Sequence, residues 1–264
     1  MRVARHSAHP GWLVRYLILG GLLILSILAW ALLIWQSSVM RNRAMPSAMG
    51  MSLTMGMGAF LFIAIWILMM VAMMFPTAAP MILMFTKIYA RKRQQGSPFV
   101  PTWVFVSAYL LVWSVFGAAA YPVAAGIDKL AEQSAWPTEN VARFGGAILL
   151  VTGLYQLSPL KDICLSKCRT PWQFILGSWR DGYMGAFRMG VAHGAYCLGC
   201  CWLLFVILFP LGVMNLAVMA LVTVLIFAEK ALPIGRQISR VAGMGLIIYG
   251  GLIMLLPAIL PMGM

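Results

Sequence analysis

Residues 184–209 read MGAFRMGVAHGAYCLGCCWLLFVILF. At 1.5 Å per residue this run is long enough to cross about 30 Å of hydrocarbon as a helix. Its one formal charge, Arg188, stands near the start, where a long side chain reaches back to the membrane surface. The run also carries His193, Cys197, Cys200 and Cys201. An imidazole inside such a segment is costly unless it faces a partner. At about 100° per residue the four positions share one helix face. One span thus sets the fold class, a transmembrane helix bundle, and also presents a row of soft ligands.

Working outward, similar apolar runs recur along the whole chain. Of its 264 residues 62% are hydrophobic and only 9% are Asp, Glu, Lys or Arg, too few charges to cover a soluble domain. The expectation is an all-α, polytopic transmembrane helix bundle forming one membrane domain over residues 1–264. Seven spans can be drawn, at about 13–35, 58–85, 103–125, 144–160, 184–209, 212–228 and 241–260. The fourth is short and contains Gln156, and the sixth follows the fifth across Pro210-Leu211-Gly212. The first is too long for a signal-peptide core, and no small-residue cleavage site follows it, so it reads as a retained helix.

The net charge of +13 does not indicate nucleic acid, because the basic residues sit in short loops between apolar runs. With the N-terminus inside, 15 of the 19 Lys and Arg fall on inner segments, and only Arg41, Arg43, Lys129 and Arg143 fall outside. That asymmetry predicts N-in, C-out. Glycines at 145, 146, 153, 190, 194, 243, 250 and 251 mark faces where helix backbones approach closely.

All five cysteines lie between Cys164 and Cys201. Cys164 and Cys168 are one helical turn apart, and His193, Cys197, Cys200 and Cys201 follow. Thiolates and thioethers select Cu(I), zinc or iron–sulfur centres over hard ions. If hydrocarbon begins near Met189, His193 is roughly 6 Å deep and Cys200 roughly 16 Å. Counting inward from Phe85, Met81 and Met74 reach similar depths, which adds Met70, Met73 and Met74 to the candidate ligands. Met40, Met45, Met49, Met51, Met55 and Met57 form a second cluster in the first outer loop, suited to metal capture where thiols would oxidise. The expected cargo is copper, with zinc the other possibility, and the expected job is transport or delivery, not catalysis.

Plainer alternatives compete. Cysteine packs as a small hydrophobe and methionine fills gaps in cores. The thiols suit a membrane thiol redox protein too, although a disulfide between adjacent Cys200 and Cys201 would be strained. A metal-free scaffold would need no ligands at all, and haem ligation has a single span-borne histidine to draw on. Walker, GxSxG and HExxH motifs are absent. Of the six acids only Glu229 lies at the edge of a span, where it is expected to pair with Lys230. Lys161, Asp162, Lys167 and Arg169 read as a solvated loop.

The motifs Met73-Met74-Phe75-Pro76, Gln156-Leu157-Ser158-Pro159-Leu160-Lys161-Asp162-x-Cys164-x3-Cys168, Gly190-x2-His193-Gly194-x2-Cys197-x-Gly199-Cys200-Cys201-Trp202 and Glu229-Lys230 resemble the bacterial family called domain of unknown function 2182, predicted metal-binding integral membrane proteins. The resemblance covers roughly residues 58–251. It implies a metal-binding multi-pass membrane protein. The expected location is the bacterial inner membrane, and the expected partners are a metal ion, the lipid bilayer and a membrane metalloenzyme or metallochaperone.

Overall fold

The computed structural model describes residues 11–42, 53–54, 56–95, 100–133 and 137–256. Among the described residues every regular element is helical: α1 (Gly11–Asn42), α2 (Ala59–Gln94), α3 (Thr102–Gln133), α4 (Thr138–Gln156), α5 (Pro159–Arg169), α6 (Pro171–Ser178), α7 (Gly182–Val206), α8 (Leu208–Leu211), α9 (Leu216–Ala231) and α10 (Gly235–Leu255). Side chains such as Leu17, Ile24, Ile27, Leu221, Val224, Val241 and Ile248 are exposed on the outside of the bundle, as a lipid environment requires.

The expected seven spans are not reached. Among the described residues five segments are long and apolar enough to cross a membrane, and a sixth exists only if α4 and α5, bent by 64°, are taken as one. The span expected at 212–228 is helix α9, 16 residues long, or about 24 Å. The span expected at 144–160 is cut at Leu157-Ser158. Pro159 cannot continue a helix from within, and it forces Ser158 into an extended conformation (ψ 148). Ser158 then accepts the Lys161 amide at 3.2 Å and starts α5 in a new direction.

Helix α2 runs through Pro76 and Pro80 instead of stopping near them. Pro76 has no N–H to give to the Ala72 carbonyl, one turn back. Ser26 Oγ (2.7 Å) and Trp30 Nε1 (3.2 Å) of α1 donate to that oxygen instead. The proline therefore creates an acceptor that fixes α1 against α2.

Two glycine seams set the remaining packing. In the α4–α10 pair, a Cβ at Gly250 would lie 2.7 Å from the Gly146 carbonyl oxygen, and one at Gly153 would lie 2.7 Å from the Gly243 oxygen. In the α3–α7 pair, a Cβ at Gly194 would lie 2.9 Å from Val112, and one at Gly190 would lie 2.7 Å from the Ala108 Cβ. Four of the glycines expected at the α4–α10 contact are there, whereas Gly251 faces open space.

Successive contacts order the helices along α7. Thr152 of α4 is at the level of Leu203, Tyr155 bonds the Gly199 carbonyl, Cys164 of α5 abuts Gly199, and Phe174 of α6 reaches His193. Helices α4, α5 and α6 thus line α7 in the antiparallel sense. Helix α9 comes back to the level of Cys197 and turns into α10. Arg169 of α5 donates to the carbonyls of Leu232 (2.7 Å) and Pro233 (2.9 Å) at that turn.

A buried ion pair holds this junction. Lys161 Nζ contacts Glu229 Oε2 at 2.7 Å, with the side chains 0% and 2% exposed. Gln156 donates to the other Glu229 oxygen at 3.0 Å and accepts from Lys161. This corrects two expectations: Lys161 is not part of a solvated loop, and Glu229 pairs with Lys161 instead of with its neighbour Lys230.

Two outcomes follow for stability in detergent. Gly250→Leu forces α4 and α10 apart and costs about 1–3 kcal/mol, read as a lower unfolding midpoint, while Gly251→Leu leaves the midpoint unchanged. Lys161→Met strands the Glu229 carboxylate and costs about 3–5 kcal/mol; the double change Lys161→Met with Glu229→Leu recovers most of that loss.

Candidate metal centre

Helix α7 carries Cys197 about two thirds of the way along its length. Its offsets place Cys200 and Cys201 one turn further on, and all three thiols are buried. The two later thiols donate to the Cys197 carbonyl, Cys200 at 3.2 Å and Cys201 at 2.8 Å. Helix α5 supplies the opposing sulfur: Cys168 Sγ lies 3.9 Å from Cys200 Sγ. Two metal–sulfur bonds of about 2.3 Å each can span that separation. Cys164, half-buried, sits one turn away against Gly199, where a Cβ would come within 2.7 Å of its sulfur. Only glycine at 199 lets α5 come this close.

Two polar groups converge on the Cys197 sulfur. Lys230 Nζ of α9 donates to it at 3.0 Å. The Tyr109 hydroxyl of α3 lies 3.1 Å from the same atom. The spans of Lys230 and Tyr109 gave no sign of this in the sequence, where Lys230 stood beside an apparent acidic partner. The contact exists because α9 ends at the level of Cys197.

His193 occupies an aromatic box one turn before Cys197. Its ring stacks on Tyr109 (centroids 5.3 Å) and Phe105 (5.9 Å), and Phe174 closes a third side at 5.7 Å. The residue is 3% exposed, and among the described residues neither Nδ1 nor Nε2 has a hydrogen-bond partner. A buried, unpaired polar atom costs about 1–3 kcal/mol, so the site keeps an imidazole with free lone-pair capacity at a stability penalty.

The candidate ligands are therefore partly gathered. Cys168, Cys197 and Cys200 form a knot with Lys230, Cys201 turns to backbone, Cys164 stands beside Gly199, and His193 lies a turn away. Among the described residues no three His, Cys, Asp or Glu groups are set as a ready-made chelate. The donor chemistry suits a soft ion, and loading would draw the thiols together. Met70, Met73 and Met74 are fully buried in the same core as Cys197, Cys200 and Cys201. Their helix, α2, runs beside α7 through side chains: Trp66 packs on Phe205 at one end (6.1 Å), and Tyr89 donates to the Gly182 carbonyl at the other (3.3 Å). Of the expected outer methionine cluster, Met57 is buried near Tyr121, whose hydroxyl donates to its carbonyl at 3.3 Å. Met45, Met49, Met51 and Met55 lie outside the described residues.

A cavity of about 570 Å³ opens where α7 begins, lined by Trp179, Arg180, Arg188, Met189 and Ala192 among others. It extends to the residue next to His193. Asp181 lies beside it, and hydrogen bonds from Lys92 and Trp179 hold its carboxyl below the usual carboxylate range.

No curated protein and no solved structure matches the chain. A family profile described as PpoB2, copper chaperone, matches residues 63–253. It supports copper over zinc and a carrier role over a catalytic one. It spans the thiol knot, the histidine box, the methionines of α2 and the Glu229-Lys230 turn, nearly the same stretch as the motifs that resemble the domain of unknown function 2182. With its motifs, its helices and this match in agreement, the chain belongs to the PpoB2 copper chaperone family.

Proposed function

We propose that the protein holds Cu(I) within a bacterial inner membrane and passes it on, loading a membrane metalloenzyme or a partner carrier. The observation that carries this reading is the meeting of Cys168 from α5 with Cys197 and Cys200 from α7, next to an unpaired buried imidazole. Thiolate exchange between such sulfurs moves a soft cation without freeing it. Cys164 and Cys168 serve as exchange partners on α5, Cys201 and His193 as neighbouring ligands on α7. Met70, Met73 and Met74 add thioethers along α2, and the methionines between Met40 and Met57 in the sequence capture the ion.

The distribution of Lys and Arg supports an N-in orientation, which turns the 570 Å³ cavity with Arg180 and Arg188 toward the cytoplasm. In that orientation the cavity gives a soluble thiol carrier access to the turn that holds His193.

A thiol redox reading has one observation in its favour. Cys168 and Cys200, on different helices, are a better-placed pair than adjacent Cys200 and Cys201. It requires no metal.

Elemental analysis of protein purified anaerobically with reductant decides between the two. About one copper per chain is expected in the wild type, and none after replacement of all five cysteines or after Cys197→Ala with Cys200→Ala. Full copper in the double variant removes the site assignment. A metal-free wild type that cycles between dithiol and disulfide establishes the redox reading. His193→Phe separates ligand from filler: it keeps the ring stack and removes two unpaired nitrogens, so stability rises by about 1 kcal/mol. If His193 is a ligand, retained copper falls in the same variant.

A further inference from the structure

Two cations stand near the knot, and they have different partners. Lys161 and Glu229 neutralise each other at 2.7 Å. Lys230 has no carboxylate contact among the described salt bridges; its ammonium ends on the Cys197 sulfur at 3.0 Å. Tyr109, the other polar group on that sulfur, is a neutral hydroxyl. His193 is an aromatic-boxed imidazole, and Gln156 is occupied by the ion pair. The junction therefore holds one ammonium, Lys230, that faces the thiols and has no carboxylate partner among the described salt bridges, in surroundings where a charge needs a counter-ion.

Resting on the copper reading above, we infer that Lys230 is the counter-ion of the loaded site and fixes its net charge at −1, which for Cu(I) means two thiolate ligands. One monovalent copper and two thiolates sum to −1, and Lys230 brings the total to zero. One thiolate would leave the junction positive, and three would leave it negative. Coordination by the neutral His193 or by a thioether changes none of these sums. Cys197, in contact with Lys230, is one of the two thiolates; Cys168 and Cys200, packed with it, are the candidates for the other.

The transfer step balances without redox change. Cu(I) arrives on two thiolates of a soluble thiol carrier. Two cysteine sulfurs form Cu–S bonds as the carrier's two break, and the two protons released by the cysteines leave on the carrier thiols. Copper remains Cu(I) throughout. Cu(I) held by only two thiolates keeps room for an incoming thiolate, as a site that must release its ion requires.

The test loads detergent-purified protein with Cu(I) supplied as its glutathione complex, under anaerobic conditions. Copper affinity is measured by competition with a chromogenic Cu(I) chelator, and the number of bound sulfurs by X-ray absorption. The wild type is expected to show one copper with two sulfurs at equal, short distance. Lys230→Met is expected to bind about a hundredfold more weakly, and Lys230→Arg to retain most of the affinity. Equal affinity and coordination in Lys230→Met overturn the counter-ion role while leaving the copper site intact. Three equivalent sulfurs in the wild type overturn the charge rule even if Lys230→Met fails to fold. A wild type that takes up no copper overturns the copper reading, and this inference with it.

Discussion

The ion pair of Lys161 with Glu229 is the constraint from which the centre of the molecule is built. It joins the first turn of α5 to the last turn of α9, with Gln156 at the end of α4 as the third member. Three chain segments are thereby fixed at one level of the bundle. Helix α5 then has to run down the face of α7, and this brings Cys164 and Cys168 against Gly199 and Cys200. Helix α9 has to end there too, which leaves Lys230, the next residue, directed at Cys197. A hydrophobic replacement could join the same helices at no greater cost in stability. What the ions add is a unique register: a one-residue slip of α9 that put Lys230 in the place of Glu229 would set two cations against each other at Lys161.

Much of this was legible in the sequence, and the limits are physical. The helical class, the glycine seams and the shared face of His193, Cys197, Cys200 and Cys201 follow from local periodicity and composition. The number of spans did not follow. Apolar length cannot distinguish a crossing from α9, which descends only to the level of Cys197, or from α4 and α5, which Ser158-Pro159 breaks within one apolar stretch. Lys161 reads as a loop residue because its partner is 68 positions away. Lys230 reads as the partner of Glu229 because adjacent residues look paired on paper, while on a helix successive side chains point about 100° apart. The prolines of α2 carry the same lesson: Pro76 looks like a helix stop until Ser26 and Trp30 of another helix are seen to satisfy the carbonyl it frees.

The two halves of the centre differ in how they are held. On α7 the thiols are anchored to a helix locked by Gly190 and Gly194 against α3. On α5 they ride a short helix, with exposed Leu160 and Ile163 on one side and a 270 Å³ cavity on another, lined in part by Asp162, Arg169 and Arg236. Arg169, the Lys161–Glu229 pair and the Asp162–Arg236 pair (3.5 Å) tie α5 to the α9–α10 turn. A rigid wall and a tethered partner are a sensible division for ligand exchange, since only one side has to move for sulfurs to close on an ion or part from it.

His193 supplies the last step of this argument. A histidine kept only for packing would be better replaced by phenylalanine, because Phe105, Tyr109 and Phe174 already form an aromatic box around it. The box fills the space without satisfying either nitrogen. The cavity rimmed by Arg180 and Arg188 reaches to its neighbour Ala192, and Cys197 stands one turn beyond. On the copper reading, His193 is the first ligand an ion meets beyond the cavity, and it binds without changing the charge that Lys230 balances.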